Sequence, residues 1–278
     1  MVSGFSRKIV LLGLLIGVLF PKITNAQDEE TPPRTSKAEE FNEKGLPSLQ
    51  DIDGVKSPIL APEPLIVTII ESTSFHPGHT QDGIWEDVAT EMGHSASIQP
   101  QTTLDNTDFF STTDLLIISS GVIDIPLQRR AIIEQFIQQG GGAYIQSEYD
   151  CSYAANVTFA SIVSNLGGSF SWIDTIEGDL IPMNVLGRLS NTPNIVPSLS
   201  SFWWGCKGSG NRTIQNYLEF NGEYFGFIFT PPNPNYGILI TSSDQDWARL
   251  ATENKLLMEN ILTTLGRRAR VYLPVIFR

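Results

Sequence analysis

Three short runs of apolar residues, 65–70 (LIVTII), 114–119 (DLLIIS) and 143–147 (AYIQS), constrain this chain more than any other feature. Each lacks the polar alternation of a half-exposed strand, which is the pattern of a strand covered on both faces. Stretches with helical spacing separate them. Residues 82–92 put Ile84, Trp85, Val88, Ala89 and Met92 on one face and stop at Gly93. Residues 127–139 do the same with Ile132, Ile133, Phe136 and Ile137, behind a Pro126 that suits a first turn. Residues 95–98 read as a further short strand, and Gly140-Gly141-Gly142 leads from the second helix into the third run. Strand and helix alternating at this spacing imply right-handed crossovers and a parallel sheet.

The pattern continues beyond the third run. Residues 155–166 read as a helix stopped by Gly167-Gly168, and 237–241 as a strand. Residues 252–265 form a last helix, with Leu256, Leu257, Asn260, Ile261 and Leu265 on one face and Gly266 as its stop. Between them, residues 169–236 are richer in Gly, Pro, Asn and aromatics, and read as short strands and loops inserted on the sheet. The expectation is an α/β domain over residues 64–266, a doubly wound and mostly parallel sheet carrying a loop- and strand-rich insertion.

The flanks differ in kind. Arg7 and Lys8 precede an apolar run, Ile9 to Phe20, and Thr24-Asn25-Ala26 follows with small residues at cleavage positions. That is the layout of a signal peptide over residues 1–26, too short in its apolar part to span a bilayer. An uncleaved N-terminal anchor is the competing reading. No later stretch approaches a membrane span, so the mature chain is expected to be secreted or periplasmic. Residues 27–63 alternate acids with prolines and hold few apolar residues, which reads as a disordered acidic, Pro-rich linker. Residues 267–278 form a tail in which Arg267, Arg268 and Arg270 precede an apolar stretch, and Pro274 confines it to an edge strand or a docked peptide.

Charge narrows the partners. The formal net charge is −12, and loss of residues 1–26 removes Arg7, Lys8 and Lys22 but no acid, which takes it to −15. Such a surface repels phosphate backbones and anionic lipid, so nucleic acid is not an expected partner. A protein or a carbohydrate is left as the ligand class. The two cysteines, Cys151 and Cys206, follow the signal segment, and in an oxidising compartment an isolated pair forms a disulfide; a nucleophilic Cys151 is the alternative. Asn156-Val157-Thr158 and Asn211-Arg212-Thr213 match the N-glycosylation pattern.

Three segments together resemble the class I glutamine amidotransferase-like superfamily, in particular its ThuA-like, trehalose-utilisation branch. They are the opening strand with its following loop, Ile69 to His76; the central unit TDLLIISSGVIDIPLQRRAIIEQFIQQGGGAYIQ, residues 113–146; and the closing YGILITSSDQDW with NKLLMENILTTL, within residues 236–265. The resemblance implies a flavodoxin-like order of strands. It also implies a cysteine on the turn after the strand that ends near Ser147, and a histidine after a late strand. Here that turn reads Gln146-Ser147-Glu148-Tyr149, Cys151 lies further on, and the late turn reads Thr241-Ser242-Ser243-Asp244. The Cys-His pair is missing in the expected register, and thiol-based glutaminase chemistry is not expected.

The candidate ligand-binding rim therefore consists of His76, His79, Asp124, Ser147 and Glu148, at the carboxyl ends of strands where open α/β sheets bind ligands. His76 and His79 could share a metal with Glu71 or Asp82, contact a ligand, or sit in a plain turn. Ser147 could be a nucleophile with His76 as base, although the glycine context of a nucleophile elbow is missing. Glu148 and Asp124 could form a carboxylate pair for acid–base work, or be ordinary solvated acids. Phe202-Trp203-Trp204 could stack on a sugar, or form a small satellite core. No catalytic residue, metal or cofactor is assigned. The expected function is an exported binding or assembly module with an amidotransferase-like fold. The alternative is a carbohydrate-related hydrolase of ThuA-like type working from a histidine and carboxylate rim.

Overall fold

The computed structural model describes residues 64–74, 81–106, 108–178, 182–199, 204–245, 247 and 252–269. All of them belong to one compact unit that begins at Leu60. Residues 1–63, on which the expected signal peptide and linker fall, His76, His79, Phe202, Trp203 and residues 270–278 lie outside the described residues.

In chain order the elements are β1 (Ile66–Ile70), α1 (Gln81–Glu91), β2 (Ser95–Gln99), α2 (Phe109–Thr112), β3 (Leu115–Ile118), α3 (Leu127–Gln138), β4 (Gly142–Ile145) and α4 (Ala154–Asn165). Then come β5 (Phe170–Ile176), β6 (Met183–Val185), β7 (Ser198–Leu199), β8 (Gly205–Gly210), β9 (Ile214–Phe220), β10 (Glu223–Phe229), β11 (Leu239–Ser242) and α5 (Thr252–Ala269). Among the described residues the main sheet has nine strands in the order β2-β1-β3-β4-β11-β10-β9-β6-β7. The first five run parallel, with Val67 opposite Leu115, Leu116 opposite Ala143 and Ile240 opposite Tyr144. Their order is the flavodoxin-like 2-1-3-4-5.

The other four strands correct the sequence expectation. Residues 169–236 do not merely sit on the sheet: β10, β9, β6 and β7 extend it antiparallel from β11. Among the described residues, β5 and β8 stand apart as a two-stranded antiparallel ribbon. The sheet is therefore mixed, parallel in its helix-wound half and antiparallel at one edge.

Two cores follow from the two faces of the sheet. Val67, Ile69, Leu115, Ile117, Tyr144 and Ile240 meet α1 (Trp85, Val88, Ala89) and α5 (Leu257, Ile261, Leu265). Ile70, Leu116, Ile118, Ala143 and Ile145 meet α3 (Ile133, Phe136) and α4 (Phe159, Ile162). Helices on both faces explain why the strands read as unbroken apolar runs. Each such side chain contributes about 1.5–3 kcal/mol of burial.

The stop expected at Gly266 is not there, because α5 continues through it to Ala269. This glycine serves packing instead: a Cβ on it would lie 2.5 Å from Leu65 Cδ1, at the entry to β1. No helix among the described residues is long and apolar enough to cross a membrane.

Candidate strand-end site

The parallel strands deliver their carboxyl ends to one rim, and polar residues begin where the apolar runs stop. After β1 comes Ser72, after β3 Ser119 and Ser120, after β4 Gln146, Ser147 and Glu148, and β11 ends in Ser242 with Ser243 and Asp244 next. Nearly all of these are buried, so each needs a partner inside the protein.

Asp82 ties the first two strand ends together. It sits in the first turn of α1, where a carboxylate is favoured by the helix dipole. It accepts the Ser72 N–H at 2.7 Å, the Ser72 hydroxyl at 2.8 Å and the Ser119 hydroxyl. Three donors on a carboxylate that is 4% exposed make Asp82 a brace between β1 and β3.

Glu148 occupies the turn after β4, and its surroundings are built from three other segments. Its N–H donates to Asn156 Oδ1 at 2.8 Å, and its carbonyl accepts Asn156 Nδ2 at 3.1 Å and Ser243 Oγ at 3.1 Å. Gly121, in the loop after β3, lies so close that a Cβ there would be 2.5 Å from Glu148 Cγ and 2.8 Å from the Ser147 carbonyl carbon. Burial, and then the neighbouring Asp244 carboxylate, push the Glu148 carboxyl up to about 8. At neutral pH it is mostly a protonated acid next to a carboxylate, a pair able to donate and accept hydrogen bonds at one place.

A disulfide closes the clamp. Cys151 and Cys206 are bonded, with Cα atoms 5.2 Å apart, so the expected pairing holds. The Cys206 N–H donates to Ser243 Oγ at 2.6 Å, and that same hydroxyl donates to the Glu148 carbonyl. The loop carrying Glu148 is thus fastened to β8 covalently and to β11 by hydrogen bonds.

Beside the disulfide stand three half-buried aromatic rings. Tyr149 meets Trp204 edge-on with centroids 5.2 Å apart, and Tyr153 at 5.7 Å. Beneath the rim, on the α1 and α5 side, Trp247 Nε1 donates to Gln146 Oε1 at 3.0 Å and to the Tyr144 hydroxyl at 3.2 Å. Tyr144 shares a 2.6 Å hydrogen bond with Ser242, and Trp85 packs on its ring at 4.9 Å. This buried network fixes the ends of β4 and β11.

Of the five residues expected at the rim, two lie at its centre. Glu148 is as described, and Ser147 is fully buried with its hydroxyl 2.7 Å from Thr241 Oγ1, turned toward β11. Asp124 follows β3 but is exposed, and its carbonyl accepts Gln101 Nε2 at 2.6 Å; the carboxylate acting on Glu148 is Asp244. His76 and His79 fall outside the described residues. His94 lies at the opposite end of the sheet, before β2, where its Nδ1 faces the Leu65 N–H at 3.5 Å. Among the described residues no group of three or more His, Cys, Asp or Glu comes together to hold a metal.

One further reading changes. Asn156 is fully buried in α4 with its amide engaged by Glu148, so the sequon it opens cannot take a glycan in the folded protein. The turn after β4 is no strained elbow, since the single non-glycine residue with positive φ among the described residues is Asn221. Sequence offered Asp82 only as a metal partner of the histidines and did not give Ser119, Asn156 or Asp244 its bond at the rim, because the bonded partners lie 8 to 97 residues apart along the chain.

Fold and rim together define an open, doubly wound α/β domain with a polar rim at the carboxyl ends of its parallel strands. No protein-family model matches the chain, and no curated protein matches it. Solved structures do. The N-terminal domain of mmIFT52 is similar at 12% identity and a TM-score of 0.53, over 73% of this chain and 97% of that one. A cytoplasmic protein from Salmonella typhimurium is similar at 12% identity and a TM-score of 0.50, over 72% of this chain and 98% of that one. A putative ThuA-like protein from Bacteroides uniformis matches at 15% identity and a TM-score of 0.45, over 74% and 93% of the two chains. At such identities the likeness to the first two is one of fold.

Proposed function

We propose that this chain is an exported domain of amidotransferase-like, ThuA-like architecture that binds a carbohydrate at the strand-end rim and carries out no thiol chemistry. The observation that carries the reading is the Glu148–Asp244 pair beside the half-buried rings of Tyr149, Tyr153 and Trp204, all fastened by Cys151–Cys206. Aromatic faces next to groups that both donate and accept hydrogen bonds suit a sugar, which presents apolar C–H faces and hydroxyls. The bonded Cys151 leaves no thiolate to attack a carboxamide, and the disulfide fits delivery to an oxidising compartment.

One feature favours a second reading, a glycan hydrolase. A protonated Glu148 next to an ionised Asp244 is the acid and base combination that glycoside cleavage uses. Calorimetry against a panel of neutral and acidic oligosaccharides, with chromatography of each mixture, tests both readings. Binding without new products, weakened at least tenfold by Trp204→Ala, is expected. Cleavage lost in both Glu148→Gln and Asp244→Asn establishes the hydrolase instead. No binding across the panel, or ammonia release from glutamine that Cys151→Ser abolishes, overturns the proposal.

A further inference from the structure

Strand β9 is seven residues long, whereas its outer neighbour β6 has three. The ladder between them sets Asn184 opposite Glu219 and Val185 opposite Leu218, and Leu186 N–H donates to the Tyr217 carbonyl at 2.8 Å. There it ends. Gly187 takes φ +61°, a left-handed conformation that favours glycine, and opens a 3-10 turn, Gly187–Ser190, that leaves the strand's path. Among the described residues, Ile214, Gln215 and Asn216 consequently pair with β10 on one side and with no strand on the other.

The phase of the β9–β10 ladder says which groups face outward. Thr230 N–H donates to the Thr213 carbonyl at 2.9 Å, and the register from there to Asn216 is regular, with Gln215 opposite Ile228 and Asn216 opposite Phe227. Main-chain direction alternates along an antiparallel pair, so Thr213 and Gln215 turn their amide and carbonyl groups to β10. Asn216 turns its pair to the open edge. Along this edge runs a groove of about 490 Å³ whose lining includes Arg188, Gln215, Asn216, Tyr217, Tyr224 and Ile228. Arg188 is its one charged lining residue, is exposed, and has no ion pair among the described residues.

We infer that this edge is a docking site for an extended peptide of a partner protein, which adds as a strand beside Ile214–Asn216 and sets an acidic side chain against Arg188. Unpaired main-chain groups at a strand edge are what a second strand satisfies. The groove has the size of a specific ligand site, with the half-buried ring of Tyr224 beside it. Its local positive charge on a chain of 18 basic and 30 acidic residues selects an acid over a base. It does not depend on the strand-end rim.

Two capped five-residue peptides test it, each alternating threonine and valine, one with glutamate and one with lysine at the centre. They are titrated into the ¹⁵N-labelled protein by NMR, and affinities are measured by calorimetry. The expected result is a shift of the Asn216 amide with slowed hydrogen exchange, and preference for the glutamate peptide. Arg188→Glu, a substitution at an exposed site, is expected to weaken that peptide by about five- to tenfold and to favour the lysine one. No perturbation at Ile214–Asn216 at millimolar peptide, or equal affinity for both peptides in both proteins, overturns the inference.

Discussion

The Asp244 N–H donates to the Ser147 carbonyl at 3.1 Å, and this bond between neighbouring strand ends brings the Asp244 carboxylate next to the Glu148 carboxyl. Burial is the larger cause of the raised Glu148 pKa, and the Asp244 charge adds to it. The two acids come from the turns after β4 and β11, the adjacent parallel strands at the centre of the main sheet.

That relationship makes stability depend on pH with a definite sign. A carboxyl raised from 4.5 to about 8 holds its proton longer in the folded than in the unfolded chain. Between those values the folded state binds more protons, so this group's contribution is full below about pH 4.5 and is lost as pH rises through about 8. Glu148→Gln keeps the shape and removes the ionisation. It is expected to flatten the decline and to stabilise the protein at pH 8 by roughly 2–4 kcal/mol, read from urea denaturation at several pH values.

The disulfide closes a loop with a sequence separation of 55 residues. Its removal by reductant, or by the Cys151→Ser and Cys206→Ser double substitution, is expected to cost roughly 2–4 kcal/mol. Denaturation with and without reductant measures this. The double variant should not respond to reductant.

Asp82→Ala removes the carboxylate that accepts the Ser72 N–H and the Ser72 and Ser119 hydroxyls at a buried position. A loss of roughly 3–5 kcal/mol is expected, against a smaller loss for Asp82→Asn, which retains one acceptor oxygen. Thermal denaturation of the two variants side by side checks the order.

Gly121→Ala pushes a methyl group into the Ser147 and Glu148 backbone, which cannot move aside as a flexible side-chain tip could. The expected cost is about 1–3 kcal/mol, with chemical-shift changes concentrated at Ser147, Glu148 and Asn156.

The parallel half of the fold was legible because β1, β3, β4 and β11 lie between two helical layers and read as unbroken apolar runs, with helical periodicity between them. The antiparallel half was not. Met183–Val185 is three residues long, Ser198–Leu199 two, and the β9–β10 pair carries register shifts at Gly226, so no clean alternation survives in the sequence. Glu148 and Ser147 could be placed at the rim because they follow a clear strand. Asp82 and Asp244 could not be given their roles, since a hydrogen bond from Ser119 to Asp82 joins residues 37 apart, and the Asp244 effect on Glu148 depends on β11 lying beside β4. Gly266 misled for a related reason: a glycine buried inside α5 beside Leu65 looks in sequence like a helix stop.

The most direct measurement is an NMR titration of the Glu148 side-chain carboxyl carbon in the oxidised protein and in Asp244→Asn. The account expects a midpoint near 8 in the former and a lower one in the latter, still above the ordinary 4.5 because burial remains. A midpoint near 4.5 that Asp244→Asn leaves unchanged contradicts it.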